Sequence, residues 1–227
     1  MNPDPIDFSR PIPLFPLPNC VLFPGVVQPL HIFEPRYKDM IADALEDQSA
    51  VALVLLKTGW EQNYYSNPAI HDILCVGKIV AHELLDDGKY NLLLHGMSRG
   101  RLLSERKHGL YRIAMLDPIE DLTDESPNMA MHRKVLRGLF DKTALKDLTV
   151  SQSLIPLFDD SIPTARLIDV LAFTLVQDIP AKQRLLEEFD PFKRGELLLR
   201  QLVNLTQLLE AQSRESPVAW PPSISEN

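Results

Sequence analysis

Cysteine is nearly absent from the chain: Cys20 and Cys75 are the only two among 227 residues. A single pair cannot form the disulfide framework that holds small secreted domains together. Long apolar runs are absent too, because the run at 51–56 is far shorter than a bilayer-spanning helix requires. The N-terminus carries Asp4 and Asp7 where a signal peptide would carry positive charge. These absences predict a soluble cytoplasmic protein without a membrane segment.

Motifs for nucleotide and metal chemistry are also missing. The sequence contains neither G-x-x-x-x-G-K-[ST], which marks a phosphate-binding loop, nor G-x-G-x-x-G, which marks a dinucleotide site. Its six histidines pair neither with one another nor with a cysteine at metal-ligand spacing. We therefore predict no metal, no cofactor and no catalytic residue. The chain is expected to bind other molecules rather than to transform them.

An excess of positive charge is absent as well. The formal net charge is −8, whereas a nucleic-acid-binding protein presents a basic surface. The local exception is the basic stretch 99–108. If this stretch is a strand, Arg99 and Arg101 share one face and Arg106 falls on the other, so the patch is split. Nucleic acid is therefore disfavoured as a partner.

One pattern does suggest an enzyme. Residues 96–100 read G-M-S-R-G, which fits the G-x-S-x-G signature of the serine hydrolase nucleophile elbow. That elbow needs a strand, a sharp turn and then a helix, but the residues after Ser98 continue a strand pattern. The hydrolase sheet is mainly parallel, whereas the surroundings of Ser98 predict antiparallel strands. A hydrolase that uses Ser98 is the weakest of the hypotheses kept below.

The first half of the chain predicts a small antiparallel β structure. Short apolar runs are separated there by Pro, Gly, Asn and Asp, and "DDGK" at 86–89 is a hairpin turn. The continuous apolar run at 50–57 predicts a buried strand, and "PRYKDMIADALEDQ" at 35–48 predicts one early helix. Further strands are predicted at 26–34, at 72–85 with a bulge at Gly77, at 90–96 paired with 98–106, and at 109–117. Closing this meander into a small barrel would remove its exposed edges.

The second half predicts helices, and the boundary is placed in the acidic, proline-bearing stretch 117–129. Four helices with short connections make a small bundle, and the second of them is apolar nearly all round. They are predicted at 128–145, 163–177, 180–189 and 191–215. The predicted organisation is a flexible N-terminus at 1–10, a β-rich domain at 11–120, a helical bundle at 121–215 and a disordered tail at 216–227.

The segment "PLFPLPNCVLFPGVVQPLHIFEPRY" at 13–37 resembles the start of the amino-terminal substrate-recognition domain of the ATP-dependent Lon protease. That domain opens with a Leu-Pro-Leu-Phe-Pro-Leu-like strand, a Phe-Pro-Gly turn and then Pro-Leu-x-Ile-Phe-Glu-x-Arg-Tyr. Later pieces resemble the family in the same order, namely "VGKIV" at 76–80, "DDGKYNLLLHG" at 86–96, Arg99 and the helical run 177–202. In this resemblance residues 96–100 fall on a hairpin return, where glycine permits a close turn.

The resemblance implies an α+β fold, namely a PUA-like antiparallel β pseudobarrel with one early helix followed by about four helices. It also implies a non-enzymatic module that binds unfolded or apolar polypeptide, with a separate protease as a second potential partner. Such a module would stand alone, because the chain lacks the ATPase and Ser-Lys protease parts. The alternatives kept open are an RNA-binding PUA-like domain and the Ser98 hydrolase. The candidate peptide-binding residues are Phe23, Phe33, Glu34, Arg36, Tyr37 and Arg99.

Overall fold

The apolar runs of the first half form six strands. The computed structural model describes residues 5–121 and 127–215. The strands are β1 Ile12–Leu17, β2 Val27–Ile32, β3 Ala50–Leu55, β4 Ile73–Leu84, β5 Tyr90–His108 and β6 Tyr111–Ile119. Helix α1, Pro35–Glu46, lies between β2 and β3 and begins on proline, as predicted.

The strands form one mostly antiparallel sheet in the order β2-β5-β4-β3-β1-β6. Strand β6 also pairs with β5, so five strands close on themselves and β2 remains at an edge. The α+β fold class is therefore confirmed. One pair departs from the predicted antiparallel pattern, because β1 and β3 are parallel. The long connection through β2 and α1 brings the chain back in the same direction, as a parallel pair requires.

The prediction of two paired strands at 90–96 and 98–106 was wrong. Both ranges belong to the single strand β5, which runs without a turn from Tyr90 to His108. Its first half pairs with β2 and its second half with β6, while β4 pairs along most of its length. Gly96 therefore lies inside a strand. The predicted irregularity at Gly77 is confirmed, because the β4–β5 register shifts between Val76 and Gly77.

Four helices of the second half agree with the predicted ones to within a few residues, and one short helix, Ser151–Leu154, was not predicted. They are α2 Pro127–Lys142, α3 Ser151–Leu154, α4 Thr164–Leu175, α5 Ile179–Glu187 and α6 Pro191–Glu215. The short α3 and two 3₁₀ turns, Ala144–Asp147 and Ile155–Phe158, join α2 to α4. Eight of the twelve residues of α4 are buried, which agrees with its apolar pattern.

Strand β3 separates two clusters of buried side chains. Val51, Leu53 and Leu55 point into one cluster, which extends through α1 into the helices α2, α4, α5 and α6. Ala50, Ala52 and Val54 point into a second cluster, formed by β1, β4 and β6. The apolar run has no polar alternation because both faces of this strand are covered.

The predicted chain ends lie partly outside the described residues. The tail 216–227 falls outside them entirely, and the predicted flexible segment 1–10 is described only from residue 5. There, Phe8 packs against the second cluster, and the Asp7 amide donates to Oε1 of Gln48 at 2.9 Å. The division into domains at 120/121 stays a prediction.

Candidate functional site

Three of the six candidate binding residues lie in the interior. Phe23 is fully buried, Tyr37 is 4% exposed and Arg99 is 2% exposed. Phe23 belongs to the turn that packs on β5, where the Gly25 amide donates to the Gly96 carbonyl at 2.7 Å. Tyr37 packs on Phe15, with ring centroids 4.6 Å apart. These three side chains are therefore buried in this structure, and their role in binding stays a prediction.

Arg99 joins the sheet to the helices. Its Nη2 and Nη1 donate to the Asp169 carboxylate of α4 at 2.8 and 3.0 Å, and its Nε donates to the Leu186 carbonyl at 3.0 Å. Arg194 of α6, itself fully buried, lies 3.0 Å from Asp169 and donates to Asp121 at 2.6 and 2.9 Å. The chain itself thus supplies a carboxylate for Arg99.

Glu34 and Arg36 connect the start of α1 to the loop that follows β3 through hydrogen bonds. Glu34 accepts from Arg36 Nε at 3.1 Å and from the Tyr64 hydroxyl at 2.7 Å. The Arg36 guanidinium lies over the rings of Tyr37 and Tyr64 at 4.5 and 4.7 Å. Burial and the hydrogen bond to Glu34 raise the pKa of Tyr64. These contacts indicate that the Glu34–Arg36 pair stabilises the junction between α1 and the loop.

Phe33, the remaining candidate, borders an exposed apolar surface. It is 60% exposed and its ring stacks beside His31 at 6.2 Å. In the adjoining strands Pro29 of β2, Leu93 of β5 and Ala81 of β4 lie directly opposite one another in the register. All three are exposed, on the side of β5 opposite to the buried Leu92 and Leu94. We call the set Pro29, Phe33, Val80, Ala81 and Leu93 the apolar face.

Polar side chains cross and border the apolar face, which also carries a shallow cavity. The polar row His31, Asn91 and Glu83 crosses the same three strands between Leu93 and Phe33, and hydrogen bonds of 2.8 and 3.4 Å link its members. On the opposite side of Leu93 the next row is Val27, His95 and Lys78, in which Val27 is apolar and exposed. A cavity of about 460 Å³ is lined by residues of β2, β4 and β5, among them Pro29, Ala81 and Leu93.

Sequence reasoning missed Leu93, Ala81 and Val80. The run Leu92–Leu94 shows no alternation that would mark its middle residue as exposed. Val80 is 47% exposed because it is the extra residue where the β4–β5 register shifts between Ile79 and Ala81. A bulge of this kind depends on the pairing of two strands and leaves little signal in one of them.

The edge of β2 is blocked to strand addition at its middle residue, Pro29. Gly96 donates to the Val26 carbonyl at 2.8 Å, so in this antiparallel pair the backbone groups of Val27, Pro29 and His31 point away from β5. Pro29 has no amide hydrogen, and its carbonyl accepts from the side-chain amide of Gln28 at 2.7 Å. The middle of this edge therefore offers no free donor or acceptor to another strand.

Ser98 lies in the middle of β5, opposite Val76, and not at a strand-to-helix turn. Its hydroxyl donates to the Arg99 carbonyl at 2.8 Å. The context that the nucleophile elbow requires is therefore not present at Ser98.

Burial raises the pKa of the Cys75 thiol to about 12 and that of the Cys20 thiol to about 11. Both thiols therefore stay protonated at neutral pH.

The basic stretch 99–108 does not form one surface. Arg99 is buried, whereas Arg101 is exposed and lies 5.9 Å from the Phe189 ring.

Within residues 5–121 and 127–215, no group of three or more His, Cys, Asp and Glu residues is arranged to hold a metal ion. Among the helices of the same ranges, none has the length and apolar character to cross a bilayer.

Fold and surface together define an α+β domain with a closed, mostly antiparallel sheet, an early helix and a following set of helices. Residues 11–204 match the family model of the ATP-dependent protease La (LON) substrate-binding domain. The chain belongs to this family, and the resemblance drawn from residues 13–37 is confirmed.

Solved structures and sequence relatives agree with this assignment. The chain is similar to the Lon N-terminal domain protein of Xanthomonas campestris, with 25% identity, a TM-score of 0.60, and 84% of this chain and 98% of that chain covered. The N-terminal domain of the Mycobacterium avium complex Lon protease shares the fold at 13% identity and a TM-score of 0.67, with 86% of this chain and 99% of that one covered.

Among curated relatives, Lon protease 1 of Syntrophobacter fumaroxidans is 28% identical over 207 residues, which cover 89% of this chain and 25% of the relative. Lon protease of Rickettsia conorii is 26% identical over 194 residues, which cover 82% of this chain and 25% of the relative. The chain thus spans about a quarter of the length of the curated relatives it matches.

Proposed function

We propose that this chain binds unfolded or apolar segments of other polypeptides through the apolar face, without itself catalysing a reaction, and that it serves proteolysis in the cytoplasm by capturing protein substrates. The observation that carries the proposal is the apolar face itself, in a chain that matches a substrate-binding domain family. Exposed apolar side chains that are grouped and bordered by polar residues are typical of sites for protein contact.

The geometry favours binding by side chains rather than by strand addition. The edge of β2 is closed at Pro29, so a bound segment cannot extend the sheet there by a full backbone ladder. It would lie across the apolar face instead, with its apolar side chains on Leu93 and Phe33. Burial of such side chains contributes about 1.5–3 kcal/mol for each one that leaves water. Contacts of this kind are tolerant of sequence, as a protein that captures many substrates requires.

Fluorescence anisotropy with a labelled, permanently unfolded protein tests the proposal. A suitable probe is α-lactalbumin that has been reduced and blocked with iodoacetamide. We expect it to bind the parent chain, and we expect Leu93→Ser and Phe33→Ser each to weaken binding about tenfold, which corresponds to about 1.4 kcal/mol. The native, disulfide-bonded form of the same protein should compete poorly.

Leu103→Ser is the matched control. Leu103 is also on β5 and is 62% exposed, but it lies outside the apolar face. This variant should bind as the parent does. Equal losses in the Leu93 and Leu103 variants would show that binding is not localised to the apolar face. Equal affinity for the unfolded and the native probe would contradict the capture of unfolded segments.

A further inference from the structure

A second cavity, of about 210 Å³, opens between the start of α1, the loop at 65–68 and the β5–β6 hairpin. It is smaller than the roughly 300–1,000 Å³ of pockets that hold whole cofactors or drug-sized ligands. Its size suits a single functional group with a few attached carbon atoms. Leu14, Pro16 and Leu110 form part of its wall, so an apolar stem could be accommodated beside the polar end.

The charges that line this cavity are all positive. Arg36, Lys107 and Arg112 line it, and no carboxylate of the described residues does. Glu34 lies 2.9 Å from Arg36, and Glu105 lies 3.4 Å from Arg112. Three cations against two carboxylates leave one positive charge, and Lys107 forms no ion pair within the ranges that the structure describes.

Arg112 is buried without a full set of partners. It is 7% exposed, and its Nη1 donates to Asn67 Oδ1 at 3.2 Å and to the Pro68 carbonyl at 3.1 Å. Its Nη2 is buried and finds no hydrogen-bond acceptor among the described residues. Burial lowers the pKa of Arg112, and the charge of Arg36 acts in the same direction. A buried guanidinium nitrogen without an acceptor is costly and calls for an anion.

Other nearby polar groups do not supply that anion. Tyr111 lines the cavity, but its hydroxyl donates to the Asp43 carboxylate at 2.6 Å. Asp43 itself lines a different cavity, beside β1.

We propose that this cavity binds a carboxylate group, held by Arg112 and Lys107. Guanidinium groups pair with carboxylates through short, charge-assisted hydrogen bonds. The single surplus charge matches one carboxylate better than the two negative charges that a phosphate ester carries near neutral pH. The carboxylate could belong to a polypeptide chain end, to an acidic side chain or to a small organic acid, since all three present the same group.

The test is a titration of the full chain, followed by amide ¹H–¹⁵N spectra, with N-acetylglycine and with its uncharged methylamide at constant ionic strength. We expect N-acetylglycine to shift the amide signals of Asn67, Gly109 and Leu110, and the methylamide to leave them in place. Inorganic phosphate should bind more weakly than N-acetylglycine. Equal shifts from the two organic probes, or tighter binding of phosphate, would overturn the proposal.

Variants localise the effect. Lys107→Met and Arg112→Met should each weaken N-acetylglycine binding at least fivefold. Lys107 is exposed, so its variant keeps the test decisive even if the Arg112 variant fails to fold. Lys89→Met, at a half-buried lysine outside the cavity that pairs with Asp87, is the control and should change nothing. Unchanged binding in the Lys107 variant would contradict the proposal.

The source of the carboxylate is identified by competition. A peptide with a free chain end and no acidic residue, and an amidated peptide with one glutamate, are each added to the N-acetylglycine complex. Displacement by the peptide with a free chain end identifies a chain end as the source, and displacement by the glutamate peptide identifies an acidic side chain. If neither peptide displaces N-acetylglycine, the source is a small organic acid. Each of these results supports the carboxylate assignment. Leu93→Ser should titrate as the parent does, so failure here is distinguishable from failure of polypeptide binding.

Discussion

At the scale of single residues, the structure explains why a hydrolase-like pattern occurs in a strand. Gly96 supplies the first glycine of G-M-S-R-G, and a Cβ atom there would clash with the Phe23 carbonyl oxygen. The turn at 23–26 thus approaches β5 too closely for any side chain. The predicted hairpin return at Gly96 was wrong, because Gly96 lies inside β5. The reason given for a glycine was right, since the backbone of another segment approaches this position closely.

Two glycine-to-alanine substitutions should have opposite effects. Gly96→Ala should lower the free energy of unfolding by about 1–3 kcal/mol, because the added methyl group forces the turn at 23–26 to move. Gly138→Ala, inside α2, meets nothing within 4 Å. It should raise the free energy of unfolding by about 0.5–1 kcal/mol through helix propensity. Urea unfolding measures both, and a neutral Gly96→Ala would contradict the close approach.

At the scale of elements, β2 shows how an edge strand is protected without being covered. Proline within a strand favours an edge position or a bulge, and β2 lies at an edge of the sheet. The capping of the Pro29 carbonyl by Gln28 was not predictable, because the choice among side-chain partners depends on rotamers.

Opening this edge should cause self-association. In the double variant Gln28→Ala, Pro29→Val, the strand gains one amide donor and one free carbonyl at its centre. Sedimentation velocity should then show concentration-dependent association beyond that of the parent chain. The single variant Gln28→Ala, which keeps Pro29, should associate less than the double variant. Identical sedimentation of the parent and the double variant would mean that Pro29 and Gln28 do not protect the edge.

At the scale of the whole molecule, a buried charge network joins sheet and helices. Arg99, Asp169 and Arg194 are each at most 2% exposed. Arg99 comes from β5, Asp169 from α4 and Arg194 from α6. Asp121, which follows β6, pairs with Arg194 as the fourth member of the network. Two arginines share the Asp169 carboxylate, so its removal would leave buried positive charge with only Asp121 in compensation.

Asp169→Asn should therefore lower the free energy of unfolding by about 3–5 kcal/mol, as expected when one partner of a buried ion pair is removed. Asp141→Asn is the control, because the pair between Arg137 and Asp141 is exposed and is expected to contribute about 0.5 kcal/mol or less. Denaturant unfolding of both variants checks the difference. Similar losses in the two variants would show that the network contributes no more than a surface pair.

The sequence by itself determined the local elements: the early helix, the buried strand β3, the long helices and the order of the Lon-like motifs. Hydrophobic periodicity, proline and glycine act over a few neighbouring residues, so they can be read in one chain. Only the tertiary structure decided that Arg99 is buried against Asp169, 70 residues away, and that Leu93 is exposed while Leu92 and Leu94 are not. Burial and charge pairing are properties of residues brought together from distant parts of the chain. Such long-range contacts form both the apolar face and the cavity lined by Arg36, Lys107 and Arg112.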